Sequence, residues 1–217
     1  MDNKKIVILD YGLGNVKSIK NALKQFNFKA KLSNDYEEII TSSGLIIPGV
    51  GAFAAGMDRL NSNNLIPAIN DFASTNKPIM GICLGMQMLF SESEEFGYTK
   101  GLGLIEGKVK RMSPLLEEES KLPHISWNNL IEPVEKKWNG TILEDLNPSS
   151  EFYFVHTYAA EPDDESDILS LTNYSGLNFC SSVKKNNIYG FQFHPEKSSR
   201  NGLQLIHNFI DLCILDT

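Results

Sequence analysis

Three short apolar runs in the first 82 residues restrict what this chain can fold into. They are Ile6-Val7-Ile8-Leu9, Leu45-Ile46-Ile47 and Pro78-Ile79-Met80-Gly81-Ile82, with a fourth β-prone segment at Lys29 to Leu32. Between them, Val16, Ile19, Leu23 and Phe26, and again Leu65, Ile66, Ile69 and Phe72, recur at the three- and four-residue spacing of an amphipathic helix. A strand apolar on both faces needs cover on both sides, and alternation with helices supplies it. The pattern therefore predicts a parallel sheet between two helical layers. The second half changes character. Segments at Gly107 to Met112, Ile125 to Ile131, Phe152 to Tyr158, Ile168 to Thr172, Phe179 to Lys184 and Ile188 to Phe193 read as strands, with Lys185-Asn186-Asn187 as a hairpin turn. A closing helix carries Leu203, Ile206, Phe209, Ile210 and Cys213 on one side. The expectation is one α/β domain over residues 1–217, three-layered, with antiparallel strands added in the C-terminal half.

Composition removes several function classes. The chain has 217 residues, 41% hydrophobic, with 20 Lys+Arg against 27 Asp+Glu and a net charge of −7. That balance argues against a protein whose main business is gripping nucleic acid or an anionic membrane, because both need a concentrated basic face. Cys83, Cys180 and Cys213 lie far apart with no Cys-x-x-Cys, so neither a disulfide framework nor a zinc site is expected. Ile6 to Leu9 is too short for a signal-peptide core, and the uncharged stretch 41–57 is broken by Pro48 and four glycines. A cytoplasmic location is the expectation. Glu117-Glu118-Glu119 reads as a solvated loop.

The strongest local signal is Gly81-Ile82-Cys83-Leu84-Gly85-Met86-Gln87, where a buried strand gives way to a helical stretch expected over Met86 to Phe90. A nucleophile between two glycines at a strand-to-helix turn is an elbow: the glycines permit a tight backbone, and the side chain projects above the sheet edge. At the head of a helix, backbone N–H groups also favour a negative sulfur. A free cysteine is more commonly a packing residue, and it is the flanking glycines at a strand end that point to chemistry here.

A cysteine nucleophile needs a base. Of His124, His156, His194 and His207, the last falls in the closing helix, where packing is the simpler reading. His194 stands out because Phe193-His194-Pro195-Glu196-Lys197 ends a strand that Pro195 stops at once. At the carboxyl end of a strand in an open α/β sheet it would face the same crevice as Cys83. Glu196 could then hold one imidazole nitrogen and leave the other for the thiol. Pro48-Gly49-Val50-Gly51-Ala52-Phe53 ends another parallel strand, and its amides at Val50 and Gly51, with that of Leu84, could form an oxyanion hole. Gly12-Leu13-Gly14 is a poor dinucleotide fingerprint, since Lys17 stands where a third glycine belongs, and it reads as a tight turn with Asn15 near a helix N-cap. No His spacing supports a metal, and no cofactor is expected.

The combination of Pro48 to Phe53, Gly81 to Gln87 and His194-Pro195-Glu196, in this order, resembles the class I, triad-type glutamine amidotransferases. Asp10 to Asn15, Pro123 to Asn128, Phe152 to Tyr158 (FYFVHTY) and Gln192 to Ser198 (QFHPEKS) narrow the resemblance to glutaminase subunits of imidazole glycerol phosphate synthase, across nearly the whole chain. The resemblance implies a flavodoxin-like fold, attack on glutamine by Cys83, proton transfer by His194 and orientation of His194 by Glu196. It implies that Gln87, Glu95, Thr157 and Tyr158 hold the amino-acid end of the substrate. It further implies a heterodimer in which ammonia passes to a (β/α)8 cyclase, with Asn15, Trp127, Asn128, Tyr153 and Lys197 along the shared face. Ser126-Trp127-Asn128 departs from the Gly-Trp-Asn usual in the histidine-pathway subunit, and Asn178 to Ser182 is also less typical. A paralogous group that supplies ammonia to surface-polysaccharide sugars is therefore a second acceptor reading. A different class, elbow-cysteine hydrolases and inert binders of the same fold, is disfavoured by Gln87 and Glu196.

Overall fold

The computed structural model describes residues 4–113, 121–147 and 149–215. The expected acidic loop at Glu117 to Glu119 lies outside the described residues. The chain begins with β1 (Ile6–Leu9), α1 (Val16–Gln25), β2 (Ala30–Ser33), α2 (Tyr36–Ile40), β3 (Gly44–Ile47), α3 (Phe53–Ser62), α4 (Ile66–Ser74) and β4 (Ile79–Ile82). There follow α5 (Leu84–Met88), β5 (Phe90–Ser93), β6 (Thr99–Lys100), β7 (Ile105–Arg111), β8 (His124–Asn129), β9 (Glu151–His156) and β10 (Tyr158–Pro162). The chain closes with β11 (Ile168–Tyr174), β12 (Leu177–Lys185), β13 (Ile188–Phe191) and α6 (Ser199–Leu215).

The main sheet runs β2-β1-β3-β4-β13-β12-β10-β7-β5-β6, with β11 added on β12. Its first five strands are all parallel, in the flavodoxin-like order. From β12 onward the pairing is antiparallel except between β5 and β7. β1, β3, β4 and β13 are buried at every position, as strands covered on both faces must be. Two apolar clusters flank the sheet. One packs Ile8, Met80, Phe191 and Phe193 against α1 and α6, and the other packs Val7, Leu45 and Ile79 against α3 and α4.

Three expectations are corrected, and unanticipated elements are added. The strand expected over Phe152 to Tyr158 breaks at Thr157, and its halves join different sheets: β9 pairs with β8 in a separate two-stranded ribbon, whereas β10 pairs with β7 and β12. The helix expected over Met86 to Phe90 spans Leu84–Met88, and Phe90 already belongs to β5. Helices α2 and α3 and the β5–β6 hairpin had no strong periodic signature and were not anticipated. His207 is half exposed, paired with Asp211 at 3.2 Å and set against the Phe26 ring, rather than packed inside.

The parallel strands bring the glycines of the elbow into close backbone contact. A Cβ on Gly85 would lie 1.9 Å from the Ile47 carbonyl oxygen, and one on Gly81 would lie 2.8 Å from the Gly85 carbonyl oxygen. Neither obstacle is a side chain that can swing away. Gly85→Ala is expected to destabilise the protein by about 3 kcal/mol or more, read as a lowered denaturant midpoint.

Candidate active site

Cys83 follows directly on β4 with φ 54° and ψ −113°, a backbone state that non-glycine residues seldom adopt. Such strain costs on the order of 1–3 kcal/mol and persists where the surroundings enforce it. They do so here: the Cys83 N–H donates to the Phe191 carbonyl at 2.7 Å, and the Gln87 N–H to the Cys83 carbonyl at 3.1 Å. The sulfur thus stands at the carboxyl end of β4, beside β13.

β13 delivers His194, the expected base, to the same place. Past Phe191 the chain runs through Gln192 and Phe193 to His194, whose backbone is held by Tyr153 and Ser198. The His194 N–H donates to the Tyr153 carbonyl at 2.9 Å, the Ser198 hydroxyl donates to the His194 carbonyl at 2.6 Å, and the Tyr153 N–H donates to that hydroxyl at 3.0 Å. His194 Nδ1 meets Glu196 Oε1 at 2.9 Å, both side chains being almost wholly buried. The Nε2 atom closes no hydrogen bond of ordinary geometry, nor does Glu196 Oε2. Burial alone would lower the His194 pKa. The Cys83 sulfur and the Glu196 carboxylate outweigh it and hold the imidazole at about 9. With α5 only five residues long, its dipole adds little field, and the cation available to the sulfur is the His194 imidazolium.

A cavity of about 290 Å³ opens over this pair, lined by Val50, Gly51, Cys83, Leu84, Gln87, Glu95, Thr157, Tyr158 and His194. It therefore unites the expected nucleophile and base with every residue expected in the oxyanion hole and at the amino-acid end. Gly51 has φ 97°, a conformation that glycine alone adopts without strain, at the turn leading into α3. Glu95 has a duty that sequence did not suggest: its Oε2 accepts the Phe53 N–H at 2.6 Å and so ties the head of α3, and the loop before it, to the cavity wall.

The expected interface residues do not all face one way. Trp127 and Tyr153 lie opposite each other in the β8–β9 ribbon with ring centroids 5.8 Å apart, and the Lys197 ammonium sits 5.8 Å from the Tyr153 ring. Asn15 heads α1 but does not cap it; its amide instead points to Glu196 Oε1 at 3.5 Å. Asn128 is turned to the other side of β8, where its side-chain amide lies 2.9 Å from His124 Nε2.

Three contributors were missed from sequence. Tyr11 donates its hydroxyl to the Pro48 carbonyl and pins the start of the glycine loop; burial and the charge of Cys83 both push its pKa up. Gln192 accepts from Gln87 Nε2 at 2.9 Å, and its own amide lies 3.9 Å from the Cys83 sulfur. His156 lines the cavity wall. Gln192 and His156 belong to the segments QFHPEKS and FYFVHTY, yet nothing local distinguishes either from a packing residue.

The Glutamine amidotransferase class-I family model matches residues 7–212. The chain belongs to this family. It is an enzyme of the glutamine amidotransferase type. It is 41% identical to the imidazole glycerol phosphate synthase subunit HisH of Moorella thermoacetica, covering 96% of this chain and 95% of that one. It is 44% identical to the HisH subunit of Methanosarcina barkeri, covering 97% and 100%. A structure described as a glutamine amidotransferase superposes with a TM-score of 0.70 at 19% identity, covering 96% of this chain and 99% of that one. PurLQS from Thermotoga maritima matches with a TM-score of 0.70 at 18% identity, covering 96% and 98%. These two likenesses establish the fold. Among the described residues no helix is long and apolar enough to cross a membrane, and no cluster of His, Cys, Asp and Glu could hold a metal ion.

Because the His194 pKa is raised, its proton is present below about 9 and is lost as pH climbs through that value. Glutaminase kcat/KM is expected to fall with a limb near pH 9. In Glu196→Gln the limb should move to lower pH, since the carboxylate is one of the two groups that raise the pKa, and activity should drop by roughly 10²- to 10⁴-fold. A pH–rate profile of both proteins checks this.

Proposed function

We propose that this chain is the glutaminase subunit of imidazole glycerol phosphate synthase, one module over its whole length, releasing ammonia from glutamine for a partner cyclase. The observation that carries the reading is the buried His194–Glu196 pair facing an elbow cysteine across a cavity of amino-acid size. The extent of the HisH likeness supports the narrower assignment.

The geometry yields a balanced sequence of steps. Cys83 Sγ attacks the side-chain carbonyl carbon of glutamine, and the thiol proton resides on His194 Nε2, the nitrogen Glu196 does not occupy. Negative charge forms on the substrate oxygen, to be met by amides of the Val50–Gly51 turn and Leu84; a missing donor of this kind costs about 3 kcal/mol. Collapse of the intermediate expels the nitrogen, which takes the His194 proton and leaves as ammonia. A γ-glutamyl thioester is left on Cys83. Water gives a proton back to His194 as it attacks the thioester, and glutamate departs as the thiol is restored. The net change is glutamine plus water to glutamate plus ammonia. Gln87, Glu95, Thr157 and Tyr158 hold the amino-acid end meanwhile.

Ammonia set free near neutral pH is protonated or lost to water, so its release is useful only beside a receiver. Trp127, Tyr153, Lys197 and Asn15 ring the approach to His194 and Glu196 and would form that receiver's docking face, with a (β/α)8 cyclase as the partner. Ser126, where the histidine-pathway subunit usually has glycine, is the observation favouring a sugar-modifying synthase as the alternative acceptor.

6-Diazo-5-oxonorleucine is expected to label the chain on Cys83, and Cys83→Ala to abolish labelling. Glutaminase turnover should rise on the order of 10- to 100-fold on adding a cyclase subunit with its nucleotide ligand. Equal rates with and without that partner would remove the histidine-pathway assignment while leaving the labelling result intact.

A further inference from the structure

Behind the cavity, polar side chains form an unbroken line from the outer edge of β8 to the substrate wall. His156 Nδ1 lies 2.8 Å from the Tyr158 carbonyl oxygen, His156 Nε2 lies 3.0 Å from His124 Nδ1, and His124 Nε2 lies 2.7 Å from the Ser126 hydroxyl. Donor and acceptor roles follow from one end. A carbonyl can only accept, so His156 must carry its proton on Nδ1. Burial holds the pKa of His156 at about 3 and lowers that of His124, so both rings are neutral near pH 7. His156 Nε2 is therefore an acceptor, His124 must carry its proton on Nδ1, and His124 Nε2 must accept from Ser126; the Asn128 amide, 2.9 Å from the same nitrogen, must then present its NH₂ and not its oxygen to that ring. All three bonds point inward.

The far end is just as constrained. The Tyr158 carbonyl also accepts from Gln87 Nε2 at 3.1 Å, and the second hydrogen of that amide goes to Gln192 at 2.9 Å. Both Gln87 N–H groups are committed, which leaves its Oε1 as the acceptor for a ligand.

We propose that Ser126, His124 and His156 are a one-directional hydrogen-bond relay that positions the Tyr158 carbonyl and, through it, the Gln87 amide. The relay rests on the reading of the cavity as a glutamine site. It gives the serine at position 126 a task that glycine cannot perform: without the hydroxyl, His124 Nε2 loses that donor. The Asn128 amide touches the same hydroxyl, on the face of β8 opposite Trp127.

Two measurements on the full chain test this. In ¹⁵N-histidine-labelled protein, NMR should find both His124 and His156 protonated on Nδ1, with scalar coupling across the N–H···N bond that joins them. A proton on His156 Nε2 overturns the relay. In 6-diazo-5-oxonorleucine inactivation, Ser126→Ala and His156→Gln should each weaken the half-saturating concentration by about fivefold, the factor for one lost hydrogen bond, with the limiting rate held to within about twofold. Ser126→Thr keeps the hydroxyl, and His156→Asn places an amide N–H where Nδ1 was, so both should recover most of the affinity. Unchanged half-saturation in Ser126→Ala and His156→Gln, or a parallel fall in limiting rate, overturns the proposal. Failure of the wild-type chain to label overturns the glutamine reading itself, a different result from normal labelling indifferent to the variants.

Discussion

The parallel pairing of β4 with β13 is the contact on which the site depends. Its register sets Gly81 opposite Gly190 and Ile82 opposite Phe191, and the Cys83 N–H continues the ladder to the Phe191 carbonyl. Because the strands run the same way, both leave the sheet at the same edge, one into the elbow and the other toward His194. Two residues more than a hundred positions apart thus arrive together. In an antiparallel pairing the two chain exits would lie at opposite ends of the sheet. The rest of the architecture protects this contact. The apolar clusters cover both faces of the central strands, α6 packs beneath the Pro195 turn, and the β8–β9 ribbon clamps His194 from the outside.

Around that edge the interior is polar, which a core tolerates only when its hydrogen bonds are made. An unpaired buried group costs about 1–3 kcal/mol. Gln87, Gln192, His124 and His156 all find partners, in one another, in backbone carbonyls and, for His124, in the side chains of Ser126 and Asn128. Among the described residues, the buried side-chain nitrogen and oxygen atoms without a partner are His194 Nε2 and Glu196 Oε2. Both atoms belong to the pair proposed to move the proton.

Much of the fold was legible because its signals are local. The stripe Val16, Ile19, Leu23, Phe26 yields α1, and Ile6 to Leu9 yields a strand buried on both faces, from periodicity alone. The elbow was legible for the same reason, since Gly81 and Gly85 are needed where the backbone turns hardest. Phe152 to Tyr158 reads as a single strand because its alternation continues through Thr157, and only competition between two sheets for its ends breaks it. α5 begins and ends two residues earlier than its sequence suggests, because Phe90 of β5 is taken up by pairing with Ile105 of β7. Cys180 and Cys213 are buried, Cys213 on the side of α6 where the apolar stripe placed it.

Sequence by itself marked the candidate residues: a glycine-flanked cysteine, a histidine stopped by proline and a glutamate two residues on read as a triad before any fold is known, because the three settings reinforce one another where each alone has a simpler explanation. Tertiary structure decided how those groups are supported. That Glu95 holds the head of α3, that Asn15 leaves its own helix to reach Glu196, and that Asn128 turns away from Trp127 toward His124 all depend on which strands become neighbours. Such contacts join residues far apart along the chain, and their geometry comes from sheet register and from the alternation of faces along a strand, neither of which is encoded at the residues themselves.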